Sequence, residues 1–331
     1  MTTLVVLILL EVALSIYVVT RVLRYTVTPS PTLRGAMLAA VSLLIGMFTV
    51  TEPVEVILRG PGASMVAVPT LLKHLTLLGC AVGVLLMALA QRTQHRPQAE
   101  YTIWAVFGAA AVAMVVLHAV PGGGGHRTSV DYVEWSHTQP LLLVAMLIAY
   151  VGGLVACIGF LAIIWPLGVR TAAGRGLSIM ACGSVLLAGW CVVRGQYLWL
   201  STTATDAPAD GDFLITQLLS VVGVLLLTVG LVWSTAEADF VAWRHWRKFR
   251  ELHTRVVEVL PEVRRRSTIR LGFDTWVVDR AVEVLDGLHQ IEQVAGTETG
   301  FPSPPAAVSD GEMTAVADRM GRAYRKDKAW A

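Results

Sequence analysis

Charge is scarce in this chain: Asp, Glu, Lys and Arg make up 15% of 331 residues, where an ordinary soluble domain carries roughly 25%. That shortage excludes a soluble globular protein and points to a polytopic membrane protein. Cysteine is sparse as well. Cys80, Cys157, Cys182 and Cys191 all fall inside apolar runs, with no close-spaced pair and no His/Cys cluster. A zinc site is therefore not expected, and the four read as small buried hydrophobes. A net charge of +2 and the lack of any DNA- or RNA-reading motif argue against a nucleic-acid partner. No phosphate-binding loop, kinase or ATPase signature is present, and His118, His126 and His137 show no helical spacing that would suit metal-assisted hydrolysis. The chain is thus expected to be no enzyme and to need no cofactor or metal. A retinal-type lysine is missing from the last apolar run, and no internal repeat of the kind that reveals many secondary transporters is visible.

What the chain does have is long apolar runs. The run from Pro69 to Ala90, PTLLKHLTLLGCAVGVLLMALA, exceeds the about 20 residues that a bilayer span requires, yet it contains Lys73 and His74. Charging a lysine at such depth costs at least ~2.5 kcal/mol on insertion scales, so Lys73 is expected to face the bundle interior, water or a carboxylate. Six other runs lie at about Thr3–Thr20, Ala36–Leu58, Ile103–Val120, Pro140–Pro166, Leu177–Leu200 and Phe213–Ala236. The expected fold is all-α, a seven-transmembrane helix bundle over residues 1–236.

Arg21 and Arg24 follow the first run and no basic residue precedes it, the reverse of a cleavable signal. The expected topology therefore has the N-terminus outside and the C-terminus inside, in the plasma membrane. Loop charges agree, because Lys and Arg gather on the cytoplasmic side. Arg21, Arg24, Arg34, Arg92, Arg96, Arg170 and Arg175 fall in the inner loops, and only Arg59 and Arg127 in the outer ones. Trp135, Trp165 and Trp199 lie near span ends, as interfacial aromatics do. Gly79 and Gly83 form a small-xxx-small pair that reads as close helix packing. The longest outer loop, Pro121–Gln139, opens with Gly122–Gly125 and reads as a surface loop.

After Ala236 the composition becomes charged, with acidic and basic residues in equal number. Phe249, Leu252, Val256 and Val259 recur at helical spacing, as do Val277, Ala281, Val284, Leu288 and Ile291, so two amphipathic helices are expected to pack together over residues 237–295. Pro302, Pro304 and Pro305 mark a linker over 296–310. Ser309 and Glu312 form a capping-box pattern before Met313, Val316, Met320 and Tyr324, an amphipathic C-terminal helix within 311–331. It docks either on this domain or on a partner.

The stretch RAVEVLDGL, Arg280–Leu288, resembles the Arg-Arg-Val-Ile/Val-Glu-Ile-x-Asp-Gly-Leu signature of an actinobacterial membrane family. Its members have seven expected spans and a C-terminal cytoplasmic domain of unknown function, and are commonly labelled transporters. Trp246 and the Pro261–Glu262 pair fit the same pattern. Arg280, Glu283, Asp286 and Gly287 carry the signature here, while Ala281 stands in place of its second arginine. Ile291, Glu292, Gln293 and Val294 replace the Leu-Arg-Pro-Tyr continuation. The resemblance implies the architecture and supplies no catalytic or ligand residue.

The ionisable residues within the apolar runs are Glu11, Glu52, Glu55, Lys73 and Arg194, joined by His74 and, near an outer end, His118. At ~1.5 Å of rise per residue, Glu11 and Lys73 lie roughly 12 Å and Arg194 about 9 Å below the outer ends of their spans. The plainer reading is ion pairing, Lys73 with Glu11 or Glu52 and Arg194 with Glu55 or an interfacial phosphate. The functional reading is an outward-facing cavity for a small extracellular ligand or a proton, with His74 as a pH-responsive member. The preferred function is a sensor or signalling scaffold whose cytoplasmic helices engage a protein partner. The alternative is a proton-coupled secondary transporter that uses Glu11, Glu52, Glu55 and Lys73.

Overall fold

The computed structural model describes residues 2–27, 29–49, 67–92, 97–119, 139–167, 171–203, 210–264, 272–295, 301–305 and 312–328. Among these residues there are helices and no strands. The helices are α1 (Thr2–Val27), α2 (Pro31–Phe48), α3 (Ala67–Ala90), α4 (Pro97–Ala119), α5 (Pro140–Ile164), α6 (Ala172–Thr203), α7 (Asp210–Val259), α8 (Phe273–Ala295) and α9 (Met313–Lys328). Six of them, α2 through α7, are long and apolar enough to cross a membrane, which makes the chain a multi-pass integral membrane protein.

Several helices start earlier than the apolar runs, because capping chemistry rather than hydropathy decides where a helix begins. Ser30, in extended conformation, accepts the Leu33 amide on its hydroxyl at 3.2 Å, and Pro31 occupies the first helical position of α2. Thr171 caps α6 in the same way, accepting the Gly174 amide at 3.0 Å. α4 opens on Pro97, six residues before the expected Ile103. The far end of the second apolar run lies outside the described residues, as do most of the loop Pro121–Gln139, Arg265 to Arg270 and Ser309.

The chain divides into two compact units, Met1–Ser234 and Thr235–Ala331. In the first, α2 and α3 pack antiparallel at very short range. A methyl group on Gly35 would stand 2.5 Å from the Met87 amide nitrogen, and one on Gly79 would stand 2.5 Å from the Ser42 hydroxyl. Gly83 abuts the Ala39 backbone equally closely. The Gly79/Gly83 pair thus works inside the bundle, where missing side chains let backbones approach. Leu14, Leu78, Met114, Phe160 and Met180 are fully buried at its centre. The opposite pattern holds outside: Val112 is 65% exposed and Ile158 58%, the apolar exterior that hydrocarbon requires and water would penalise. Trp165 and Trp199 are exposed at helix ends.

In the second unit, the helix expected from Phe249 onward is the last part of α7, which runs unbroken to Val259. Phe249, Leu252 and Val256 interlock with Val277, Ala281, Val284 and Leu288 of α8, whereas Val259 of the expected face, at the end of α7, is exposed. α9 joins them through Ala317, Met320 and Tyr324, and Phe301 of the proline-containing segment stacks on Tyr324 at 6.0 Å. The last helix therefore docks on its own domain.

Candidate functional site

Four helices of the first unit bring together a cluster of polar aromatic side chains. His74 stands on the buried face of α3, one turn after Thr70 and one before Leu78, and His118 lies in the last turn of α4. Their ring centroids are 6.4 Å apart. Tyr150 of α5 meets His74 edge-on at 5.7 Å, and Trp190 of α6 meets Tyr150 edge-on at 5.2 Å. Gly152 and Gly153 follow Tyr150 and allow this approach: a methyl group on Gly152 would stand 2.7 Å from Leu78 of α3, and one on Gly153 would stand 3.0 Å from the Cys191 sulfur of α6.

The histidines are the chemically distinctive pair. Both are at least nine-tenths buried, with 9% of His74 and 5% of His118 exposed. His118 Nδ1 lies 2.9 Å from the Met114 carbonyl oxygen. A carbonyl only accepts, so Nδ1 carries the proton and Nε2 is left with a lone pair. That Nε2 is buried without a hydrogen-bond partner, and so is His74 Nδ1. Leaving a buried polar atom unmatched costs about 1–3 kcal/mol, so the pair is suited to a proton, a water or a small hydrogen-bonding group. Among the described residues no set of three or more His, Cys, Asp or Glu gathers to hold a metal.

The sequence-derived candidates distribute as follows. His74 is in the cluster. Lys73 precedes it on α3 and is half-buried, and Arg194 follows Trp190 by one turn on α6, its guanidinium 5.9 Å from the Tyr197 ring. Glu11 is half-buried on the packed face of α1 that also carries Leu14 and Val18, and makes no ion pair among the described residues. Glu52 and Glu55 lie outside the described residues. Tyr150 and Trp190 escaped the sequence reading because uncharged aromatics in an apolar run look like ordinary lipid or core residues.

In the second unit, the residues that carry the sequence resemblance have structural work. Arg280 Nη1 donates to both Glu283 oxygens at 2.7 Å, and His253 of α7 lies 2.8 Å from Glu283 Oε2. Glu283 is 1% exposed, so its charge is carried by these partners. Arg280 also lies over the Trp276 ring at 5.3 Å. Gly287 faces Val256 so closely that no side chain fits there, and Asp286 is exposed. Burial holds the His253 imidazole below its ordinary 6.5, the Glu283 bond and charge oppose this, and Arg280 and Arg264 add to the lowering. A second buried acid, Asp318 of α9, meets Lys248 at 2.9 Å and His245 and Arg322 at 3.4 Å each.

Compared with known protein families, curated proteins and solved structures, the chain matches none.

Proposed function

We propose that the chain is a seven-span plasma-membrane protein, with its N-terminus outside and its C-terminus inside, that acts as a sensor or signalling scaffold. α1, a helix of 26 residues, supplies the seventh span. The polar cluster in the bundle takes up a proton or small ligand, and the helical module from Thr235 onward engages a cytoplasmic protein. The observation that carries this reading is the His74–His118 pair with its two unmatched nitrogens. A purely structural polar pair in an apolar bundle would satisfy both atoms within the protein. The sequence of α7 supports the second half, because no Gly or Pro interrupts it between Leu231 and Leu260, and a displacement of its membrane part is passed along one backbone.

The test uses the full-length protein in vesicles with a buffered lumen on the cytoplasmic side. Acidifying the outer medium stepwise from about pH 7 to about pH 4, a range wide enough to titrate a buried histidine, is expected to change amide exchange in α8 and α9. The response disappears in His74→Gln, in His118→Gln and when a Gly-Ser segment replaces the residues around Ala236. No change in the wild-type protein would refute the coupling. An Arg325→Cys variant labelled by an impermeant maleimide only after the membrane is opened from the inner side checks the orientation.

The same histidines also suit proton coupling in a secondary transporter. Solute flux into liposomes that vanishes in Glu52→Gln, with module exchange unaffected by pH, selects that reading.

A further inference from the structure

At the end of the bundle opposite the histidine cluster, a cleft of about 610 Å³ opens between the end of α1 and the first turns of α2 and α4. Its wall carries one charge of each sign: Arg34 of α2 and Glu100 of α4 form an ion pair across the cleft. Tyr25, Tyr101 and Trp104 line the same space. Arg34 has five N–H donors to place, of which one on Nη2 serves Glu100. Its Nε has no hydrogen-bond partner and its side chain is 43% exposed, so the guanidinium has donors left for an acceptor in the cleft.

We propose that this cleft binds the zwitterionic headgroup of a membrane lipid of the phosphoethanolamine type. The phosphate accepts from Arg34, whose planar fork matches phosphate oxygens. The ammonium rests against Glu100 and the faces of Tyr25, Tyr101 and Trp104, a carboxylate with aromatic walls that favours cations. An anion with no positive end would meet the Glu100 carboxylate beside Arg34, whereas a zwitterion brings the opposite charge to each side. The lipid source follows from placement. Tyr101 is 74% and Trp104 43% exposed at the end of a membrane helix, the level at which Tyr and Trp meet headgroups. Farther along α4, Val112, Val115 and Val116 are exposed for the acyl chains. This inference is independent of the sensing role of the histidines.

Native mass spectrometry of the full-length protein, extracted from vesicles containing equal amounts of phosphatidylethanolamine, phosphatidylglycerol and phosphatidylcholine, tests the assignment. The expected result is one phosphatidylethanolamine retained in preference to both others. Arg34→Gln lowers retention of all phospholipids at this site by about tenfold, the effect of losing one charge-assisted hydrogen bond, and Glu100→Gln removes the preference for the ethanolamine lipid. Tyr101→Ala, on an exposed face and outside the ion pair, weakens retention without touching the α2–α4 link, which separates recognition from folding. Equal retention of all three lipids, unchanged in Arg34→Gln, means annular lipid only and overturns the proposal. Binding of free phosphoethanolamine in lipid-free micelles with no lipid retained would reassign the cleft to a soluble phosphate ester and overturns the lipid assignment.

Discussion

His253 of α7 meets Glu283 of α8 at 2.8 Å, and both oxygens of the same carboxylate accept from Arg280 at 2.7 Å. A carboxylate exposed by only 1% thereby ties α8 to α7 in one register.

Removing that acid strands its partner. Glu283→Ala leaves the Arg280 guanidinium buried without a counter-charge, and breaking a buried pair in this way costs about 3–5 kcal/mol. The expected outcome in the full-length protein is rapid protease cleavage between residues 235 and 331 while the membrane bundle stays intact. Unchanged protease resistance of that module would show that the pair is dispensable.

The helical module from Thr235 onward loses stability in acid. Burial lowers the His253 value in the folded state below its ordinary 6.5, so the unfolded chain takes up the proton first as pH falls. The stabilisation from the neutral ring is complete above the unfolded value and is lost as pH falls toward the folded one. Amide exchange in α8, followed across that window, should speed up on acidification in the wild type and respond less in His253→Gln.

Helix α3 has no room for a side chain at Gly83, where it crosses α2. Gly83→Val would drive a branched side chain into the Ala39 backbone, and overpacking of this kind costs about 1–3 kcal/mol or more. Lower yield and a lower unfolding temperature in detergent are expected. Gly108→Ala is the control, because nothing lies within 4 Å of the position that its methyl group takes; that variant should match or exceed the wild type, since alanine favours helix by about 1 kcal/mol over glycine.

Helix α9 is held by its small residues as much as by its charges. Gly321 packs against the Phe249 backbone and Ala317 is fully buried, so Ala317→Glu should release α9 and expose its segment to protease. Asp318→Asn removes the charge that Lys248 pairs with at 2.9 Å and should loosen α9 to a smaller degree, read in the same assay.

Six apolar helices, the amphipathic faces and the charged module were legible from the amino-acid order alone. Hydropathy and charge are summed along the chain one residue at a time, and the spacing of Phe249, Leu252 and Val256 reports a helix face with no knowledge of its partner. Where α2 and α4 begin was less visible, because Ser30, Pro31 and Pro97 set those starts through caps and ring geometry that a hydropathy run does not contain.

Only tertiary structure decided what meets what. His74, His118, Tyr150 and Trp190 sit on four helices and far apart in sequence, so their cluster depends on which helices pack and at what rotation. That choice is made by pairwise contacts, such as Gly152 against Leu78 and Gly83 against Ala39. The partner of Glu283 across the module, and the docking of α9 on its own domain instead of elsewhere, were settled in the same way, by complementary shapes and charges that exist only once the helices are side by side.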